Sequence, residues 1–119
     1  GRAPTAADIA AGDRIAGMIR EADGPVLSED VGFIIAAGKD VVGNATHLRN
    51  LYESGHWNPT GLVSDVQAKR FGIVVLNAEL YPAPVLAAVG RFYYIVEQVP
   101  LAAATYHIFL PGGDRVESD

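Results

Sequence analysis

The run Phe71-Gly72-Ile73-Val74-Val75-Leu76 contains no charged side chain and is rich in β-branched residues. A short run of that kind, bounded by polar residues, reads as a strand, and one that is apolar at every position must be covered on both faces. It belongs in the centre of a sheet, so the remaining sequence has to supply a layer on each side.

Helical patterns fill that role. From Thr5, the residues Ile9, Ile15, Ala16, Met18, Ile19 and Ala22 share one face, with Asp8, Asp13, Arg14, Arg20 and Glu21 on the other. Thr5 or Asp8 caps the start, and Gly24-Pro25 ends the helix. Gly12 and Gly17, inside it, fit close packing against a neighbour. Pro25 to Leu27 then reads as a short buried strand, with Ser28 placed to cap a second, largely buried helix through Val31 and Phe33 to Ala37, ending at Gly38. Lys39-Asp40-Val41-Val42-Gly43 has the length of a marginal strand. Thr46 to Ser54 is helical, with Leu48, Leu51 and Tyr52 inward and Gly55 as its stop. Asn58-Pro59 opens another helix with Leu62, Val63 and Val66 inward. Prolines 82 and 84 bracket the start of a short helix through Val85, Leu86 and Val89, closed by Gly90.

Two β-prone stretches follow, Tyr93 to Val99 and Thr105 to Leu110, and they predict two antiparallel neighbours at the sheet's edge. The expected fold is therefore α/β: a mixed, mainly parallel four- to five-stranded sheet with helices on both faces and a C-terminal antiparallel hairpin. Residues 1–111 form a single domain, and residues 112–119 read as a disordered acidic tail.

Composition narrows the partners. The 119 residues carry a net charge of −5 with scattered Lys and Arg, which gives no footprint for nucleic acid or an anionic membrane surface. Without cysteine there is no disulfide framework, thiolate metal site or thiol nucleophile. No apolar run approaches the roughly 18–20 residues of a bilayer span, and the start lacks the plan of a signal peptide. A chain beginning at Gly1 without an initiator Met points to a processed product or an excised piece of a longer protein.

The polar triplet Ser28-Glu29-Asp30 sits where a strand hands over to a helix, the usual ligand position of open α/β sheets. The same residues also suit a plain helix start: Ser28 caps, while Glu29 and Asp30 complement the helix dipole. The structural role is favoured, and two carboxylates there would repel a phosphate. Neither GxGxxG nor GxxxxGK[ST] occurs, so dinucleotide and P-loop sites are disfavoured and no cofactor is expected. His47, His56 and His107 form no local pair suited to a metal, and Ser28, Ser54 and Ser64 lack a GxSxG context. Trp57, the only tryptophan, can stack on a sugar or anchor a partner if exposed. Buried, the favoured reading, it staples the next helix to the core. Asn77, Glu79 and Tyr81, just after the central strand, form a second candidate rim.

Taken together, the stretches GPVLSED, AGKDVV, LYESGHWNPTGLVSDVQAKRFGIVVLNAELYP and GRFYYIVEQVP resemble the C-terminal soluble domain of polytopic bacterial membrane glycosyltransferases of the family 39 or dolichyl-phosphate-mannose mannosyltransferase type. The resemblance covers about residues 5–111 through short, mostly structural motifs. It implies a parent enzyme that takes sugar from a lipid-linked donor, with its catalytic acid in a loop between early membrane helices. Those helices are not in this chain, so no catalytic residue carries over. It further implies an extracytoplasmic domain, attached to the membrane-embedded part of the same polypeptide, that helps bind a glycan or protein acceptor or caps the membrane portion. The alternative is a free-standing α/β module for a small ligand or protein, in which the hairpin tyrosines Tyr93, Tyr94 and Tyr106 offer an edge for a homodimer. A small soluble enzyme has least support, because no acid, base and nucleophile can be named together.

Overall fold

A computed structural model describes residues 5–30, 33, 38, 45–78, 81–102 and 104–112. Helix α1 spans Ala6–Glu21 and leads to strand β1, Val26–Ser28. Helices α2, Ala45–Glu53, and α3, Thr60–Gln67, precede strand β2, Ile73–Leu76. Helix α4, Ala83–Phe92, runs directly into strand β3, Tyr93–Leu101, and strand β4, Ala104–Pro111, closes the order.

The four strands form one sheet in the order β1-β2-β4-β3. Only β1 and β2 are parallel; β2 with β4 and β3 with β4 are antiparallel. The expectation of a mainly parallel sheet is thus corrected to a mixed, mostly antiparallel one. The cause is the hairpin, whose second strand, β4, inserts beside β2 and leaves β3 on the edge. β2 is interior, as its unbroken apolar run requires. The marginal strand at residues 39–43 and the helix expected over residues 31–37 fall outside the described residues, apart from a helical Phe33. The tail beyond Gly112 falls outside them too.

Two cores flank the sheet. Residues Leu27, Val74 and Leu76 pack with Leu62 and Val66 of α3 and with Val85 and Val89 of α4. On the opposite face, Val26, Ile73, Val75, Val99, Tyr106 and Ile108 pack with Ile15 and Ile19 of α1. The alternation along β4 follows from strand geometry: Tyr106 and Ile108 face α1, whereas His107 and Phe109 face the α4 side.

Helix α1 starts with a reciprocal capping box, in which Thr5 Oγ1 accepts the Asp8 N–H at 3.0 Å and Asp8 Oδ2 accepts the Thr5 N–H at 3.1 Å. Ile9 was expected inward but is 55% exposed. It precedes Ile15 by six residues, about 240° around the helix axis, so the buried stripe instead passes through Gly12, against Phe33 and Leu101. Tyr52 is likewise exposed rather than inward, and α4 continues past Gly90 to Phe92. Gly72 carries the tightest constraint among the described glycines. A Cβ there would lie 1.6 Å from the Asp23 carbonyl oxygen, and its N–H donates to Pro25 O at 2.9 Å. The segments entering β1 and β2 therefore touch backbone to backbone.

Candidate functional site

The parallel pair brings the ends of β1 and β2 together, and with them most of the polar residues singled out above. Ser28 ends β1, and the helix it was placed to cap lies outside the described residues apart from Phe33. Its buried Oγ accepts the Asp30 N–H and donates to Asp30 O, both at 3.1 Å, which closes a local turn. Glu29 N–H extends the ladder by donating to Val75 O at 3.2 Å. The Glu29 side chain reaches across to the loop after β2, where Oε1 accepts the N–H groups of Asn77 at 2.5 Å and Ala78 at 2.9 Å.

Two tyrosines complete this knot. Tyr81, buried beside the start of α4, donates its hydroxyl to Ser28 O at 3.1 Å. Burial pushes its phenol well above the ordinary range, and the Glu29 charge adds to the effect. Tyr106 on β4 donates to Asp30 Oδ2 at 3.2 Å; burial, then the Asp30 charge, raise its pKa to about 12. Both phenols therefore remain proton donors at neutral pH. Ser28, Glu29 and Asp30 thus meet Asn77 and Tyr81 of the second candidate rim, a junction the sequence did not predict, whereas Glu79 falls outside the described residues. Trp57 lies apart, half-buried against the core formed by α3 and α4.

Beyond the knot, on the α4 side of the sheet, opens a cleft of about 490 Å³, lined by Leu76, Asn77, Ala78, Leu86, Val89, Gly90, His107 and Phe109. That volume falls within the range of small-molecule sites, roughly 300–1,000 Å³. Register explains its composition. Leu76 pairs with His107 and Val74 with Phe109, so an apolar strand end and an imidazole share one face. Among the described residues, the side chains of Asn77 and His107 make no hydrogen bond. His107, weighed above only as a metal ligand, and Phe109 were not placed at a site, because their position in the cleft depends on which hairpin strand meets β2. Their spacing of two on a strand was the available signal.

The expected tyrosine surface of the hairpin is corrected: Tyr93 is 1% and Tyr106 7% exposed, and only Tyr94 lies open, at 41%. Tyr93 faces the α4 core, and its hydroxyl both donates to Phe71 O at 2.7 Å and accepts the Phe71 N–H at 3.1 Å. Exposed on β3 are instead the consecutive residues Tyr94, Ile95 and Val96, at a bulge between Ile95 and Glu97.

Chemically, the site can bind and orient. Its carboxylates accept structural hydrogen bonds, and among the described residues no nucleophile stands beside a base in the cleft. Among the described residues no group of three or more His, Asp or Glu side chains can hold a metal ion, and no helix is long and apolar enough to cross a membrane. Comparison with protein families, curated proteins and solved structures gives no match to this chain.

Proposed function

We infer that this chain is a soluble, itself non-catalytic domain of a membrane glycosyltransferase, placed on the extracytoplasmic face, where it helps to bind the acceptor while the membrane portion transfers sugar from a lipid-linked donor. The observation carrying the non-catalytic part is the use of Glu29 and Asp30. One holds the β2–α4 loop through two backbone amides and the other takes the Tyr106 hydroxyl. A general acid or base needs its carboxyl within reach of a substrate proton, and both carboxylates face protein donors. The glycosyltransferase context rests on the resemblance of the GPVLSED, AGKDVV, LYESGHWNPTGLVSDVQAKRFGIVVLNAELYP and GRFYYIVEQVP stretches.

The test is the natural reading frame upstream of Gly1. Several hydrophobic spans of about 20 residues, with acidic residues in the first outward loop, are expected. A start codon immediately before Gly1 would refute this context.

The exposed Tyr94-Ile95-Val96 edge favours a second reading, a stand-alone module that pairs with its own copy through β3. Light scattering after size exclusion separates the two: a dimer lost on Ile95→Lys supports the second reading, and a monomer excludes it.

A further inference from the structure

We propose that the cleft between α4 and the β2–β4 pair is a subsite for a neutral pyranose ring, stacked on the Phe109 side and held through its hydroxyls by Asn77 and His107. This rests on the reading of the domain as a binding module and names what it binds.

The lining selects the ligand class. Leu76, Leu86, Val89 and Phe109 provide an apolar floor, while Asn77 supplies an amide with both donors and an acceptor, and His107 a ring with both nitrogens uncommitted. A pyranose matches that division: its C–H face is apolar and weakly positive, suited to the negative face of an aromatic ring, and its rim is a ring of hydroxyls. Charge argues against a phosphorylated or carboxylated ligand. Among the described residues no Lys or Arg lines the cleft, and Gly90 brings the negative, C-terminal end of the α4 dipole to it.

The register also gives the cleft a direction. His107 pairs with Leu76 on one side and Gln98 on the other, so an exposed amide continues the polar row toward the edge. Phe109 likewise sits between Val74 and Ile95, which extends the apolar row beside it. A second sugar unit would follow these rows across β4 to β3.

The rim around Trp57 is less suited, although Tyr52, His56 and Asn58 surround it. There Asn58 Oδ1 already accepts from the Thr60 N–H and hydroxyl, and His56 Nδ1 is bonded to Ser54 Oγ.

The experiment is amide chemical-shift mapping on the unmodified chain. The probes are neutral methyl pyranosides of several stereochemistries, one neutral disaccharide, and glucose 1-phosphate as an anionic comparison. Saturable shifts at residues 76–78 and 107–109 are expected from at least one neutral probe, and Asn77→Ala should weaken its binding by about fivefold, the value of one net hydrogen bond. Gln98→Ala should weaken only the disaccharide, and Tyr52→Ala should change nothing. No shift at these residues, shifts confined to residues 52–58, or tighter binding of glucose 1-phosphate would overturn the proposal. The unmodified chain decides this even where a variant fails to fold. Mapping to the cleft in a protein whose upstream frame lacks membrane spans would keep the sugar site and discard the glycosyltransferase context. A frame with spans and a cleft without shifts would do the reverse.

Discussion

Replacing Tyr93 by Phe removes one oxygen atom and, with it, two hydrogen bonds. The hydroxyl donates to Phe71 O at 2.7 Å and accepts from Phe71 N at 3.1 Å, across 22 residues of sequence. Both Tyr93 and Phe71 are buried, so water does not readily replace the lost partner. The ring remains, and the volume change is too small for an appreciable cavity. Each orphaned backbone group costs about 1–3 kcal/mol, and the two together should cost about 3 kcal/mol. With a urea slope of about 1.5 kcal/mol/M, the midpoint should fall by about 2 M at unchanged slope. Trp57, the only tryptophan, packs against the same core and reports the transition by fluorescence. A loss below about 0.5 kcal/mol would refute the idea that this phenol pins the entry of β2 to the end of α4.

Two further outcomes follow from the same structure. Gly72→Ala drives a methyl group into the Asp23 carbonyl, 1.6 Å from its ideal position, so β1 and β2 cannot keep their register. The variant should lose the cooperative transition in circular dichroism, whereas Gly61→Ala, with open space around it, should keep it. In alkali, Tyr106 is held protonated by burial and by Asp30 up to about 12, above the ordinary tyrosine value. A raised folded pKa means that stability is full below the unfolded value near 10 and falls as pH rises from there toward about 12. Tyr106→Phe should flatten that decline in urea titrations at stepped pH; an unchanged slope would contradict the assignment.

Much of this architecture was legible because local chemistry and tertiary demand agreed. The unbroken apolar run of β2 announced burial on both faces, and Thr5 with Asp8 announced a helix start. The strand order was harder, since a hairpin's sequence does not name which of its strands will meet the sheet. A signal did exist: β3 carries Glu97, Gln98 and Pro100, which suit an edge, while β4 alternates Tyr106 and Ile108 toward α1 with His107 and Phe109 toward α4. The triplet's position at the end of β1 was legible too. Its function as an acceptor was not, because the amides that Glu29 binds lie 48 and 49 residues away and are brought near only by the parallel pairing. The cleft was hidden for the same reason: it joins Asn77 to His107 through register alone.

The proposed non-catalytic role is tested most directly in the longer membrane protein that the proposal calls for, by measuring sugar transfer from a lipid-linked donor with Glu29→Gln and Asp30→Asn introduced together. Each amide keeps an oxygen acceptor for the backbone or tyrosine donor and loses the charge, so the fold should survive with a modest loss of stability and transfer should stay near the unmodified rate. A folded double variant with collapsed transfer would show that these carboxylates take part in the reaction.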